Sequence, residues 1–118
     1  MFGRLHNTKA QRFRDRLPLN DDDFFANFYS DQHLSQQDVL KLRNEIAAAI
    51  EIPAPLLRPT DRFLVELADV QELPGADGGL AEMTFCAERR KKATGRNVDI
   101  SQLQTVDDYI RAFAASAS

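Results

Sequence analysis

The sequence has no tryptophan, one cysteine and two histidines. A single thiol, Cys86, excludes an intramolecular disulfide and cannot by itself form a structural zinc site, which needs several convergent ligands. His6 and His33 are far apart in the sequence and lack the spacing of metal ligands. We therefore predict no metal site and interpret Cys86 as a small buried hydrophobic side chain.

Long apolar runs are also missing, and none approaches the ~18 to 20 residues needed to span a bilayer. The first 17 residues carry charges but no continuous apolar segment of the secretory type. We therefore expect a cytoplasmic protein that is not inserted into a membrane. With 118 residues, of which 43% are hydrophobic, the chain is long enough for one domain with a modest core.

Charge is distributed unevenly along the chain, whose formal net charge is −3 at pH 7. Up to residue 17 the cationic side chains outnumber the single carboxylate of Asp15, and the remainder of the chain is acidic. This basic segment could bind a nucleic acid or an anionic surface, or it could be a solvated terminus. Its cationic residues are Arg4, Lys9, Arg12, Arg14 and Arg16.

Apolar residues at helical spacing, without any alternating strand pattern, predict an all-α protein. Four segments are predicted to be helical. The first, second and fourth, at residues 20–29, 35–50 and 105–113, each begin with a residue that can cap a helix. Gly95 can end the third, at residues 80–93. In the second segment, the face opposite the apolar one, with Arg43 and Glu45, is interpreted as solvated.

We predict one helical domain at residues 19–115, preceded by a basic N-terminal extension at residues 1–18 and followed by a frayed tail at residues 116–118. Within the domain, three prolines between residues 51 and 59 prevent a continuous helix. Thr60 or Asp61 is then expected to cap a short helix. Aromatic side chains in segment 20–29 are expected to be packed in the core.

The segment LPGADGG, residues 73–79, is interpreted as a turn. It lacks the spacing of a P-loop, its Lys-Ser/Thr pair and a preceding strand. The helix that follows places Phe85 outside its apolar arc, so that Phe85 is either a second buried contact or an exposed anchor for a partner. The predicted partner-binding residues are Phe85, Arg89, Arg90, Lys91 and Lys92.

The order of these elements resembles that of an acyl carrier protein. Three stretches carry the resemblance: VLKLRNEIAAAI, PTDRFLVEL and ISQLQTVDDYI, which together cover roughly residues 36–113. The resemblance implies a helical bundle of three main helices plus one short helix. Here that bundle has an extra N-terminal helix, as in carrier-like bacterial proteins with a leading Asp-Phe-Phe-type helix and no attachment serine.

Proteins of that family carry 4′-phosphopantetheine on a serine in an Asp-Ser-Leu turn. In this chain no serine occurs between Ser35 and Ser101. When the sequences are aligned on the basic helix, the turn corresponds to Asp77, Gly78, Gly79 and Leu80. When they are aligned forward from Phe63, it corresponds to Val70 and Gln71. Neither alignment supplies a hydroxyl, so we predict no phosphopantetheine arm and no other cofactor.

We therefore expect a non-catalytic, carrier-like protein that binds another protein. Family members present an acidic helix to their partners, whereas this helix is basic, which predicts a partner with an acidic docking surface. The alternative is a nucleic-acid-associated regulator that uses the basic extension and the Arg89–Arg96 patch. The negative net charge and the lack of helix-turn-helix spacing argue against it. An enzyme is not expected, because Cys86 has no nearby histidine in the sequence.

Overall fold

The computed structural model describes residues 13, 15–31, 33–64 and 80–116. Over these ranges the chain forms helices, two short 3₁₀ turns and two isolated β-bridges, but no strand. The prediction of an all-α class is therefore confirmed, and no described helix is long and apolar enough to cross a membrane. The helices are α1 (Asp21–Phe28), α2 (Gln36–Ile50), α3 (Leu80–Thr94) and α4 (Val106–Phe113), and the 3₁₀ turns are Ala54–Leu56 and Ile100–Gln102.

The helix ends follow from the capping residues in the sequence. The Asn20 and Ser35 side chains accept hydrogen bonds from backbone amides of the first turns of α1 and α2. Thr105 and Asp108 form a reciprocal capping box at the start of α4. At the end of α3, Gly95 adopts a φ of +67°, the left-handed conformation that glycine accommodates without strain. All four predicted caps are thus confirmed.

Helix α2 is the centre of the fold, because it packs against α1, α3 and α4. Its apolar face is buried as predicted, and Val39 and Ile46 have no exposed surface. α4 faces it with a fully buried apolar side, as its sequence predicts. Phe24 of α1 and Tyr29, the C-cap residue that follows it, are buried in the core, whereas Phe28 of the same aromatic stripe is partly exposed.

The opposite face of α2 is not simply solvated, and that prediction was wrong for Arg43 and Glu45. The side chain of Arg43 is 1% exposed. Its guanidinium donates hydrogen bonds to the carbonyl oxygens of Leu19 and Ala54, at 2.6 and 3.0 Å, and lies over the Phe24 ring. Burial lowers the pKa of Arg43. This buried cation joins α1 to the chain segment after α2.

The last residues of the predicted N-terminal extension belong to the folded domain. Phe13 is buried in the core, and the Arg16 guanidinium makes two 2.7 Å hydrogen bonds to the buried carboxylate of Asp61. Asp61 also accepts a hydrogen bond from the backbone amide of Arg58. The expected short helix does not begin at Asp61, since Arg62 forms an isolated bridge with Thr105 and residues 63 and 64 lie in a turn. The rest of the expected short helix, after residue 64, lies outside the described part of the chain.

The end of the chain is bound rather than frayed as far as residue 116. The Ser35 amide donates to the Ala115 carbonyl, and the Ala115 amide donates to the Asp38 carboxylate, each at 2.8 Å. Ser116 forms an isolated antiparallel bridge with Leu34. No pattern in the sequence AASAS predicts these contacts, because its partners are backbone and side-chain groups at the start of α2. Residues 117 and 118 lie outside the described ranges.

Candidate docking surface on the basic helix

Helix α3 attaches to the core along a narrow stripe. Met83, Cys86 and Ala87 are buried, as their spacing predicts. Ala93, which the helical wheel placed on the same arc, is exposed, because it lies at the end of α3 beyond the region covered by the core. Many of the other side chains of α3, among them Phe85, Arg89 and Lys92, are exposed.

Arg90 is held by the fold itself. Its guanidinium donates two hydrogen bonds, of 3.2 and 3.0 Å, to the carboxylate of Glu45 on α2. The same carboxylate accepts a 2.5 Å hydrogen bond from the hydroxyl of Tyr109 on α4. The hydrogen bond to Glu45 raises the pKa of Arg90, and burial together with Glu45 raises that of Tyr109. Glu45 thus links three helices.

This network changes the expected role of Arg90. We predicted that Arg90 binds a partner, but its charge is already neutralised by Glu45, and its side chain is only 24% exposed. Cys86 lies next to the network, and burial, Glu45 and Glu82 raise the pKa of its thiol. A thiol with a raised pKa is a poor nucleophile. Its position agrees with the prediction of a small buried side chain.

Phe85 lies on the opposite side of α3 from the core, about 200° around the helix from Met83. Half of its surface, 51%, is exposed. The Arg89 guanidinium lies 5.6 Å from the centre of the Phe85 ring, a cation–π arrangement that keeps a charge beside the aromatic surface. Of the two alternatives for Phe85, the structure shows the exposed one.

The other basic residues of this helix differ in their surroundings. Lys92 is exposed on the same side as Phe85, whereas Lys91 is partly buried beside a shallow recess that Asp99 also lines. Arg96, just beyond the helix, donates hydrogen bonds to the Ala112 and Ala114 carbonyls at the end of α4. We call the exposed side formed by Phe85, Arg89 and Lys92 the docking face.

A cavity of about 670 Å³ opens between the start of α3, the second 3₁₀ turn and α4. Its lining is mainly apolar, and its volume lies in the range of small-molecule and side-chain binding pockets. Sequence patterns did not predict it, because the cavity arises from residues far apart in the chain. The residues that line it are Arg62, Phe63, Leu64, Met83, Thr84, Ala87, Ile100, Ser101, Leu103, Gln104 and Tyr109.

Of the residues matched to the carrier attachment turn, only Leu80 is described, and it opens α3. Asp77, Gly78 and Gly79 lie outside the described ranges, as do Val70 and Gln71 of the second alignment. In the parts of the chain that are described, no group of three or more His, Cys, Asp or Glu side chains is placed to hold a metal ion.

Comparison with known proteins gives no relative: no protein-family model, curated protein or solved structure matches the chain.

Proposed function

We propose that the protein is a non-catalytic, acyl-carrier-like helical module that binds another protein through the docking face of α3 and carries no phosphopantetheine arm. The proposal joins two independent lines of support. One is the resemblance in element order and motifs, in which the attachment serine is absent. The other is the geometry of α3, which leaves an aromatic ring and two cations exposed.

The observation that carries the proposal is the exposure of Phe85 beside Arg89. A large aromatic side chain on a soluble protein is usually buried, and aromatic and arginine residues are enriched at the energetic centres of protein interfaces. Lys92 lies about 10 Å further along the same side of the helix, since seven residues rise by that distance. An acidic partner would place its carboxylates against these two cations.

The alternative, a nucleic-acid-associated regulator, has less support from the described residues. Of the Arg89–Arg96 patch, Arg90 is paired with Glu45 and Arg96 with the carbonyl end of α4. Glu88 is exposed on α3 between Phe85 and Lys92 and would lie close to phosphates. These contacts reduce the continuous positive surface that backbone phosphates require.

The absence of the arm is tested by intact mass measurement after incubation with a phosphopantetheinyl transferase and coenzyme A. We expect no change in mass, and an authentic acyl carrier protein serves as the positive control. A mass increase equal to one phosphopantetheine group would contradict the proposal and would point to an acceptor hydroxyl outside the matched turn.

The docking face is tested by affinity capture from the native host with Lys92→Glu and Lys41→Glu variants compared side by side. Both lysines are exposed on 15-residue helices, and both substitutions change the net charge equally. We expect Lys92→Glu to lose a partner that Lys41→Glu retains. Equal capture by the two variants would contradict a docking face on α3. Arg90 is unsuitable for this test, because its loss would also break the pairing with Glu45.

A further inference from the structure

Residues 13 and 15–19, which we call the N-terminal strap, are bound to the connection that follows α2. Phe13 anchors the strap in the core with 3% of its surface exposed, and the Arg16 guanidinium lies 4.6 Å from the centre of the Phe13 ring. The same guanidinium donates two hydrogen bonds to the Asp61 carboxylate and one, of 2.9 Å, to the Leu56 carbonyl. Arg16 therefore joins the strap to two points of the connection.

Asp61 connects this attachment to the rest of the domain. The residue is 2% exposed, and its carboxylate accepts a further hydrogen bond of 2.8 Å from the backbone amide of Arg58. A buried carboxylate is unfavourable unless it is paired and hydrogen-bonded. Without the Arg16 guanidinium, the Asp61 carboxylate would lose the cation of its salt bridge, and its segment would gain free energy by opening to water.

The segment around Asp61 also binds the start of α4. The first amides of a helix have no acceptor within the helix itself. Here the amides of Val106 and Asp107 donate to the carbonyl oxygens of Asp61 and Pro59, at 3.0 and 2.9 Å. An opening of residues 59–61 would therefore remove the acceptors of two amides in the first turn of α4.

The residues that follow Asp61 form one wall of the cavity. Residues 62–64 all line it, and Phe63 is 6% exposed. The Phe63 amide donates to the Gln104 carbonyl at 2.9 Å, and Arg62 forms an isolated antiparallel bridge with Thr105. Since this wall directly follows Asp61 in the chain, its position depends on the same segment that Arg16 holds.

We propose that the N-terminal strap controls a separately opening unit of the fold, which consists of residues 58–64 and the first turn of α4. While Arg16 is paired with Asp61, the unit is closed and the cavity wall is fixed. When the strap is released, the unit loosens as a whole and α2 stays folded. Proteins open in such contiguous units at a lower free energy than global unfolding. The N-terminal segment thereby controls access to the cavity, and this control does not depend on the docking face.

The test is native-state hydrogen exchange of the full chain, followed residue by residue by NMR, in Arg16→Met and Arg90→Met variants. Both substitutions remove an arginine that donates two hydrogen bonds to one carboxylate, and the two arginine side chains are 26% and 24% exposed. The amides of Phe63 and Val106 report on the proposed unit. The amide of Ile46, in the fully buried part of α2, is the reference.

We expect Arg16→Met to accelerate exchange at Phe63 and Val106 by at least about tenfold relative to Ile46, because the unit opens without global unfolding. Arg90→Met should leave this ratio unchanged. Adding Asp61→Asn to Arg16→Met should restore part of the protection, since a buried amide needs no cation.

Arg16→Lys is the milder variant, because it keeps the charge but loses the two-pronged geometry of the guanidinium. It should accelerate exchange at the same amides by a smaller factor, and it makes the same comparison if Arg16→Met does not fold. Circular dichroism checks the folding of each variant.

Three outcomes would overturn the proposal. If exchange accelerates only at the Leu19 amide, which donates to the Pro55 carbonyl, the strap is attached to the domain without controlling it. If Ile46 accelerates by the same factor as Phe63 and Val106, the strap contributes to global stability and no separate unit exists. If Arg90→Met raises the ratio as much as Arg16→Met does, the effect does not come from the strap.

Discussion

Helices α2 and α3 are both 15 residues long, but they use their side chains in opposite ways. α2 buries residues on several sides, including the charged Arg43, because three other helices and a connecting segment pack around it. α3 contacts the core through Met83, Cys86 and Ala87 and exposes Phe85 to solvent. The difference shows that α2 lies at the centre of the fold, while α3 leaves a large part of its side-chain surface exposed.

The same contrast applies to the charges of the two helices. Arg43 and Glu45 of α2 are engaged in contacts inside the domain. On α3, Arg90 is engaged in the same way, whereas Arg89 and Lys92 point away from the core. Sequence alone could not separate these cases, because the four consecutive basic residues at positions 89–92 have similar chemistry and differ mainly in their angle around the helix.

The largest contrast is expected from removing an apolar side chain from each helix. Ile46→Ala on α2 should lower the free energy of unfolding by about 2–5 kcal/mol, because Ile46 is fully buried and leaves a cavity. Phe85→Ala on α3 should change it by less than about 1 kcal/mol, since half of the ring is already exposed. Urea denaturation measures both. Equal losses would contradict the different roles of the two helices.

The next contrast concerns the two arginines that lie over phenylalanine rings. Arg43→Met should destabilise the protein by about 2–4 kcal/mol, because the Leu19 and Ala54 carbonyls lose buried donors. Arg89→Met should cost less than about 1 kcal/mol, as an exposed cation–π contact contributes little. Thermal unfolding of the two variants checks this, and a stable Arg43→Met protein would mean that Arg43 is not needed to join α1 to the domain.

High pH should loosen the core that surrounds α2. Tyr29 and Tyr109 are the only tyrosines, and burial raises the pKa of both above the ordinary value near 10. The two neutral tyrosines therefore contribute fully to the free energy of unfolding below about pH 10. This contribution decreases as the pH rises from there toward their folded-state pKa. At about pH 11 the loss should reach roughly 1 kcal/mol per tyrosine. Tyrosinate absorbance should rise together with the loss of circular dichroism as the pH is raised. A rise in tyrosinate absorbance while the circular dichroism stays that of the folded protein would contradict the burial of the tyrosines.

A smaller stability effect than at Ile46 or Arg43 is expected at the contact between the two helices. Glu45→Gln keeps the size of the side chain but removes the charge that Arg90 and Tyr109 share, and should cost about 1–2 kcal/mol. Glu88→Gln, an exposed change on α3, is the matched control and should be close to neutral. No difference between the two variants would show that the network contributes nothing to holding α3.

The sequence predicted the helices well because their signals are local. Asn20, Ser35, Thr105 and Gly95 each act on amides or carbonyls within one turn, so their roles follow from the order of residues. The buried side of α4 likewise follows from its spacing. The bound C-terminal residues, the Arg16–Asp61 pair and the cavity depend on contacts between distant segments. No local pattern contains that information, and the predictions failed or were silent there.

For the candidate site, the sequence predicted which residues of α3 bind a partner but not which of their side chains are exposed. The position of Phe85 outside the apolar arc left burial and exposure as two alternatives, and the ring is exposed. In the sequence Arg90 is equivalent to Arg89, whereas in the structure the Arg90 guanidinium is paired with the Glu45 carboxylate. Glu45 itself was missed, because a glutamate on a polar helix face normally faces solvent.

The most direct test of the docking face is photo-crosslinking in the native host with a photoreactive amino acid at position 92 on α3 or at position 41 on α2. Both positions are exposed, so each probe samples the partners of its own helix. The proposed function predicts a discrete protein adduct from position 92 that is missing from position 41. Adducts of the same kind from both positions, or from position 41 alone, would contradict a docking face on α3.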